Sequence, residues 1–215
     1  METDHLYPVA LKIAGKQCLV IGGGKVALRK VIGLLECAAI VTVVSPDVDS
    51  EIGELADSGA IVWRMQAYAA DVLNGMHIVI VATSDHELNR SIAARCRKLG
   101  IMVNVVDVPE LCDFFVPAVL RRQSLTVAVA TDGKSPLLAR ILRQMLESII
   151  TEDYGDFLEQ LGRHRDTIKR CLQDEDQRQK VFDELVSPEV LDLLKQGKGN
   201  CMKERIEQCI SSLLV

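Results

Sequence analysis

No stretch of this chain approaches the ~18 consecutive apolar residues that a membrane-spanning helix requires. The opening residues Met-Glu-Thr-Asp-His carry neither the basic patch nor the apolar run of a secretory leader, so a cytoplasmic protein without a membrane partner is expected. Positive charge is also short: 25 Lys and Arg stand against 30 Asp and Glu, a net charge of −5. That balance argues against a general nucleic-acid or anionic-membrane surface. Seven cysteines (Cys18, Cys37, Cys96, Cys112, Cys171, Cys201 and Cys209) include no C-x-x-C pair. The four histidines, His5, His77, His86 and His164, have no metal-ligand spacing with one another or with the cysteines, so no bound metal is expected. An odd number of thiols, several of them in apolar stretches, fits free cysteines in a reducing compartment. Internal repeats and low-complexity tracts are absent as well.

What is present is a globular composition: 48% hydrophobic and 26% charged over 215 residues, enough to bury a full core and to exclude wholesale disorder. Residues 1–110 alternate between apolar runs and helical patterns. Strands are expected at 17–21, 40–44, 61–65, 77–82 and 101–106, and helices at 25–36, 48–58 and 85–99. Such alternation demands parallel pairing and right-handed crossovers, hence a Rossmann-type doubly wound α/β sheet whose ligand lies at the carboxyl ends of its strands. Short β-runs at 117–120 and 125–130, separated by Arg121-Arg122-Gln123-Ser124, read as a hairpin that needs a partner to pack on. Ser135-Pro136 starts a helix to about Ile149, with serine as N-cap and proline at the first helical position. The remainder is helical, broken at Ser187-Pro188 and at Gln196-Gly197-Lys198-Gly199. The expected divisions are a dinucleotide-binding domain at 1–113, a small α+β dimerisation and substrate region at 114–150, and a helical domain at 151–215.

The first strand runs into Gly22-Gly23-Gly24-Lys25-Val26-Ala27, a G-x-G-x-x-A fingerprint between a strand and a helix. Gly22 permits the tight turn, Gly24 lets the backbone approach a pyrophosphate, and Ala27 permits close helix–strand packing. The phosphates then meet free N–H groups and the positive end of the helix beginning near Lys25 and Val26. The second strand ends in Ser45-Pro46-Asp47. Asp47, 23 residues past Gly24, is the acid available for the ribose hydroxyls, and that segment holds no Arg for a 2′-phosphate, which favours NAD over NADP. Thr83, Ser84, Asn104 and Val105 fall at the ends of later strands and complete the cofactor-binding set. In Ser84-Asp85-His86-Glu87, Ser84 or Asp85 serves as a helix cap.

Asp107 follows Asn104-Val105-Val106 in an apolar stretch. Partly desolvated there, its carboxylate would have a raised pKa and accept a proton; a turn-forming Asp before Val108-Pro109 is the plainer alternative. Residues 116–150 are locally basic, with Arg121, Arg122, Lys134, Arg140 and Arg143 against Asp132 and Glu147. Lys134 and Ser135 sit at a helix N-terminus one or two turns from Arg140, an arrangement suited to carboxylates or phosphate as well as to simple capping.

Taken in order, Leu6-Tyr7-Pro8, Gly22 through Lys30, Val44-Ser45-Pro46, Ala82-Thr83-Ser84-Asp85, Asn104-Val105-Val106-Asp107 and Thr131 through Arg140 resemble the precorrin-2 dehydrogenase family, a module of siroheme synthases. The match runs from about residue 6 to 145, with Lys25 standing where some relatives carry an acid. The resemblance implies an enzyme that takes two hydrogens from the anionic tetrapyrrole precorrin-2, passes hydride to NAD and yields sirohydrochlorin. It further implies an intertwined homodimer built on the central region, Asp107 as proton acceptor, and Lys134, Ser135 and Arg140 as substrate-binding residues. Some relatives also insert ferrous iron into the product. A non-catalytic NAD-sensing module shares the glycine loop but does not need Asn-Val-Val-Asp or Gly-Lys-Ser-Pro.

Overall fold

The computed structural model describes residues 5–197, 204 and 206–208. Five parallel strands, β1 (Gln17–Ile21), β2 (Ile40–Val44), β3 (Val62–Arg64), β4 (Ile78–Val81) and β5 (Met102–Val105), form one sheet in the order β3-β2-β1-β4-β5. The chain winds outward from β1 in one direction through β2 and β3, then restarts beside β1 with β4, so the switch point lies between β1 and β4. Three helices cross over: α1 (Lys25–Leu35), α2 (Ser50–Asp57) and α3 (His86–Leu99).

Both faces of the sheet are covered, so its strands are apolar nearly throughout. Cys18 and Val20 of β1 pack with Val41, Val43 and Ile80 beneath Ala27, Val31 and Ile52 of α1 and α2. The intervening Leu19 and Ile21 pack with Val79, Val81 and Val103 beneath Ile92, Ala93 and Cys96 of α3. Each such fully buried side chain contributes about 1.5–3 kcal/mol relative to exposure. Helix α3 begins at Asp85, whose carboxylate accepts from the Leu88 N–H at 3.0 Å, and ends at Gly100 in the left-handed conformation. Among the described residues Cys18, Cys96, Cys112 and Cys171 are free thiols, and burial pushes the Cys96 thiol up to about 11. Cys201 and Cys209 lie outside the described residues, as do Lys198 and Gly199 of the expected helix break.

Contacts divide the chain into two compact units, Met1–Phe115 and Val116–Val215. The second opens with an antiparallel hairpin of β6 (Ala118–Arg122) and β7 (Leu125–Val129), followed by α4 (Pro136–Glu147), α5 (Glu152–Cys171), α6 (Glu175–Leu185) and α7 (Pro188–Lys195). Phe157, Ile168, Val181, Leu185, Val190 and Leu194 form its helical core. Gly155 allows α5 to press on β6, since a Cβ there would stand 2.7 Å from the Arg122 carbonyl oxygen.

Several boundaries differ from the sequence reading. Arg121 and Arg122 belong to β6, not to the turn: Arg122 pairs with Leu125, leaving only Gln123-Ser124 to reverse the chain, with Gln123 at φ +51. Arg122 is held there by donating to the Ile150 carbonyl at 2.9 Å and pairing with Glu152 at 3.3 Å. β3 is shorter than 61–65 because the Ile61 N–H still serves the end of α2, at the Leu55 carbonyl, and Gln66 folds back onto Arg64. The tail is interrupted once more, between α5 and α6, where Asp174 caps α6 by accepting from the Gln177 N–H at 2.8 Å. Two single 3₁₀ turns, Ala70–Leu73 and Pro109–Leu111, fill segments for which the sequence reading names no helix or strand.

Candidate functional site

The carboxyl ends of β1, β2 and β4 enclose a cavity of about 380 Å³ on the α3 face of the sheet. Its floor is the glycine loop. Gly22 has φ +118, and a Cβ on it would stand 2.4 Å from the Ala82 carbonyl oxygen; a Cβ on Gly23 would stand 2.0 Å from the Asp47 carbonyl oxygen. The first two glycines are therefore required by the loops on either side. Gly24 is different: no protein atom lies within 4 Å of the position its Cβ would take, and its backbone is ordinary extended chain. Gly24 is exposed and, like Lys25 and Val26, is not among the residues lining the cavity; the open space beside it leaves room for a pyrophosphate. That space opens onto the N-terminus of α1, where no side chain caps the first N–H groups and no acid occupies the first turn. The residues present thus fit a dinucleotide, with Gly24, Lys25 and Val26 supplying free N–H groups and helix dipole to its phosphates.

Of the residues assigned to the cofactor from sequence, Gly22, Gly23, Ser45, Pro46, Thr83 and Ser84 line the cavity. Asp47 lies outside it, exposed, with its carbonyl accepting from Ser45 Oγ at 2.6 Å. Asn104 and Val105 are buried and committed to structure. Asn104 Nδ2 donates to the Phe114 carbonyl at 2.9 Å, and the Val105 N–H donates to Cys112 Sγ at 3.2 Å. The other six wall residues were not assigned to the cofactor from sequence: Ile21, Val44 and Ala82 next to the predicted strand ends, and Ala67, Tyr68 and Leu88. The Tyr68 hydroxyl is buried without a hydrogen-bond partner among the described residues, and burial pushes its pKa up. Asn89, 2% exposed, was missed as well; it accepts from Thr83 Oγ1 at 2.6 Å and returns a bond to the Thr83 carbonyl, bolting the β4 loop to α3.

Asp107 closes the turn after β5 with φ +62, a left-handed conformation that few side chains other than Asp and Asn adopt readily. The Val108 N–H reaches back to the Val105 carbonyl at 3.3 Å, and the Cys112 thiol touches the carbonyls of both Val105 and Val108. The desolvation expected at Asp107 is absent from this chain: the side chain is exposed, because the turn lifts it clear of the buried strand end. Its charge interacts with Lys30, a half-buried residue of α1 whose ammonium is discouraged by burial and by Arg29 and favoured by Asp107.

In the second unit, Ser135 caps α4 by accepting from the Leu138 N–H at 3.2 Å, and no acid occupies the first turn of that helix. Lys134 and Arg140 are exposed, whereas Arg143 is paired with Glu147. Among the described residues no three His, Cys, Asp or Glu side chains converge as a metal site, and no helix is long and apolar enough to cross a membrane.

Comparison with known proteins adds to this geometry. Residues 9–118 match the family described as "Putative NAD(P)-binding", and residues 122–149 match "Sirohaem biosynthesis protein central". Siroheme synthase of Nitrosomonas europaea is 36% identical over 97% of this chain and 44% of its own length, and that of Ectopseudomonas mendocina is 39% identical over 90% and 42%. The chain therefore spans less than half the length of these relatives. Among solved structures, SirC, a precorrin-2 dehydrogenase, superposes with a TM-score of 0.74 at 28% identity, covering 94% of this chain and all of that one.

Proposed function

Since this chain belongs to the NAD(P)-binding family and continues into the sirohaem-biosynthesis central region, we propose that it oxidises precorrin-2 to sirohydrochlorin in siroheme biosynthesis, with NAD as cofactor. The observation that carries this reading is the end-to-end likeness to a precorrin-2 dehydrogenase. The alternative of a non-catalytic sensor loses ground to it, because the likeness extends through the central region as well as the dinucleotide fold.

The oxidation removes two hydrogens from the macrocycle, one as hydride and one as a proton. NAD, when bound, is the hydride acceptor. The chain orients the reactants and manages the proton. Gly24, Lys25 and Val26 hold the phosphates, and the walls at Ser45, Pro46, Thr83 and Ser84 enclose the adenosine. Asp107 takes the proton: its carboxylate is exposed and ionisable, stands at a strand end of the same sheet, and is fixed by a turn that leaves it little backbone freedom. Lys134, Ser135 and Arg140 bind the carboxylates of the tetrapyrrole, drawing on the acid-free N-terminus of α4. The reaction is assigned to the cytoplasm, in keeping with the buried free thiols Cys18 and Cys96.

The test is direct. Purified protein supplied with enzymatically generated precorrin-2 and NAD should produce NADH and sirohydrochlorin in equal amounts; folded protein that binds NAD yet gives no turnover would sink the reading. Adding ferrous iron to the product mixture reports iron insertion, as a rate above the uncatalysed one.

The active form is a homodimer. Leu137, Leu138, Ile141, Leu142 and Met145 leave an apolar stripe on α4, with Met145 60% exposed and Leu137 57% exposed. A contiguous stripe of this kind on a soluble protein marks an interaction surface. Ile141→Asp should therefore convert a dimer to a monomer in sedimentation velocity, and an unchanged sedimentation coefficient would remove α4 from the interface.

A further inference from the structure

A site that accepts NAD and rejects its 2′-phosphorylated form places a carboxylate against the ribose hydroxyls. None of the residues lining the 380 Å³ cavity is acidic. The end of β2 contributes Ser45 and Pro46 to the wall, while Asp47, the acid singled out by its spacing, stays outside it with its carbonyl engaged by Ser45.

None of the lining residues is basic either, but a cation stands next to the wall, one strand further along the sheet. Parallel pairing puts Arg64, the last residue of β3, in register with Val44, which lines the cavity. The preceding residue, Trp63, packs on the opposite face with α1 and α2 and donates its indole N–H to the Ser45 carbonyl at 3.0 Å. Strand alternation then directs Arg64 to the Val44 face, the face that carries the cavity. Two backbone bonds fix it: the Arg64 carbonyl accepts from the Ser45 N–H at 3.3 Å and from the Gln66 N–H at 2.8 Å, after which the chain re-enters the wall at Ala67 and Tyr68. Arg64 is exposed, and its guanidinium makes no ion pair or hydrogen bond among the described residues.

We propose that Arg64 is a 2′-phosphate ligand and that this site binds NADP as well as NAD. The proposal rests on reading the cavity as the adenosine end of a dinucleotide site. A guanidinium suits a phosphate dianion because its planar fork donates two parallel charge-assisted hydrogen bonds. No carboxylate in the wall opposes that anion.

Titration calorimetry tests this without turnover. The full chain, Arg64→Ala and Arg64→Lys would each be titrated with NAD, NADP, adenosine 5′-phosphate and adenosine 2′,5′-bisphosphate. The native chain is expected to bind NADP with a Kd within about threefold of that for NAD. Arg64→Ala should weaken NADP and the bisphosphate by about tenfold, with NAD and the monophosphate nearly unchanged, and Arg64→Lys should recover part of the loss. Strong rejection of NADP by the native chain, or equal weakening of both dinucleotides in Arg64→Ala, overturns the proposal and leaves the dinucleotide reading standing. Failure of folded protein to bind either dinucleotide overturns both.

Discussion

Asp107→Asn is expected to lower precorrin-2 turnover by about 10²–10⁴-fold, the range a positioned general base contributes. The substitution suits the site. Asparagine adopts the left-handed conformation as readily as aspartate, so the φ of +62 is retained without strain. The side chain is exposed, so the exchange buries no new polar group. Thermal midpoint and NAD affinity should thus match those of the native chain, and single-turnover absorbance at saturating NAD isolates the lost step. Near-native turnover would remove Asp107 from the chemistry and leave the fold of the turn as its only role. Asp107→Leu serves as a contrast: it should lose stability as well, because a γ-branched side chain without a hydrogen-bonding tip resists φ near +60°.

A second pair of variants separates the two uses of the glycine loop. Gly22→Ala should destabilise the dinucleotide domain by about 2–4 kcal/mol, since the new methyl group would meet the Ala82 carbonyl in a backbone conformation that L-residues avoid. For a unit of this size that is a fall in thermal midpoint of roughly 10 °C or more. Gly24→Ala should cost no more than about 1 kcal/mol, the difference between the two residues at a helix N-cap. Its methyl group meets nothing in the protein but occupies the space that the proposed function gives to phosphate, so NAD affinity should fall by about tenfold or more. Calorimetric unfolding and NAD titration on both variants give the comparison. If Gly24→Ala bound NAD normally, the phosphates would have to lie elsewhere.

The elements read correctly from sequence are those whose signals are local. The alternation of apolar runs with helical patterns yields the parallel sheet, and the caps at Asp85 and Ser135 are visible because each bonds an N–H three residues on. The role of Gly23 was not visible, because it depends on the Asp47 carbonyl passing 2.0 Å from where a Cβ would stand. The Tyr68 wall and the position of Arg64 were hidden for the same reason: both come from the pairing of β3 with β2, a fact of topology rather than spacing. Asn104 misled in the other direction. It stands at a strand end, where ligands are expected, yet its amide holds the chain near Phe114. The β-runs legible in sequence stop short of Arg121 and Arg122; the contacts of Arg122 with Ile150 and Glu152 draw the strand past them.

The left-handed turn at Asp107 also bears on how this chain can change over generations. A turn held at φ +62 admits asparagine and glycine nearly as well as aspartate. Each of those replacements is one nucleotide away from either aspartate codon. Selection for stability therefore offers no protection at this position: a lineage released from selection for the proposed oxidation can lose the carboxylate in one step, keep its fold and its cavity, and survive as a protein without that chemistry.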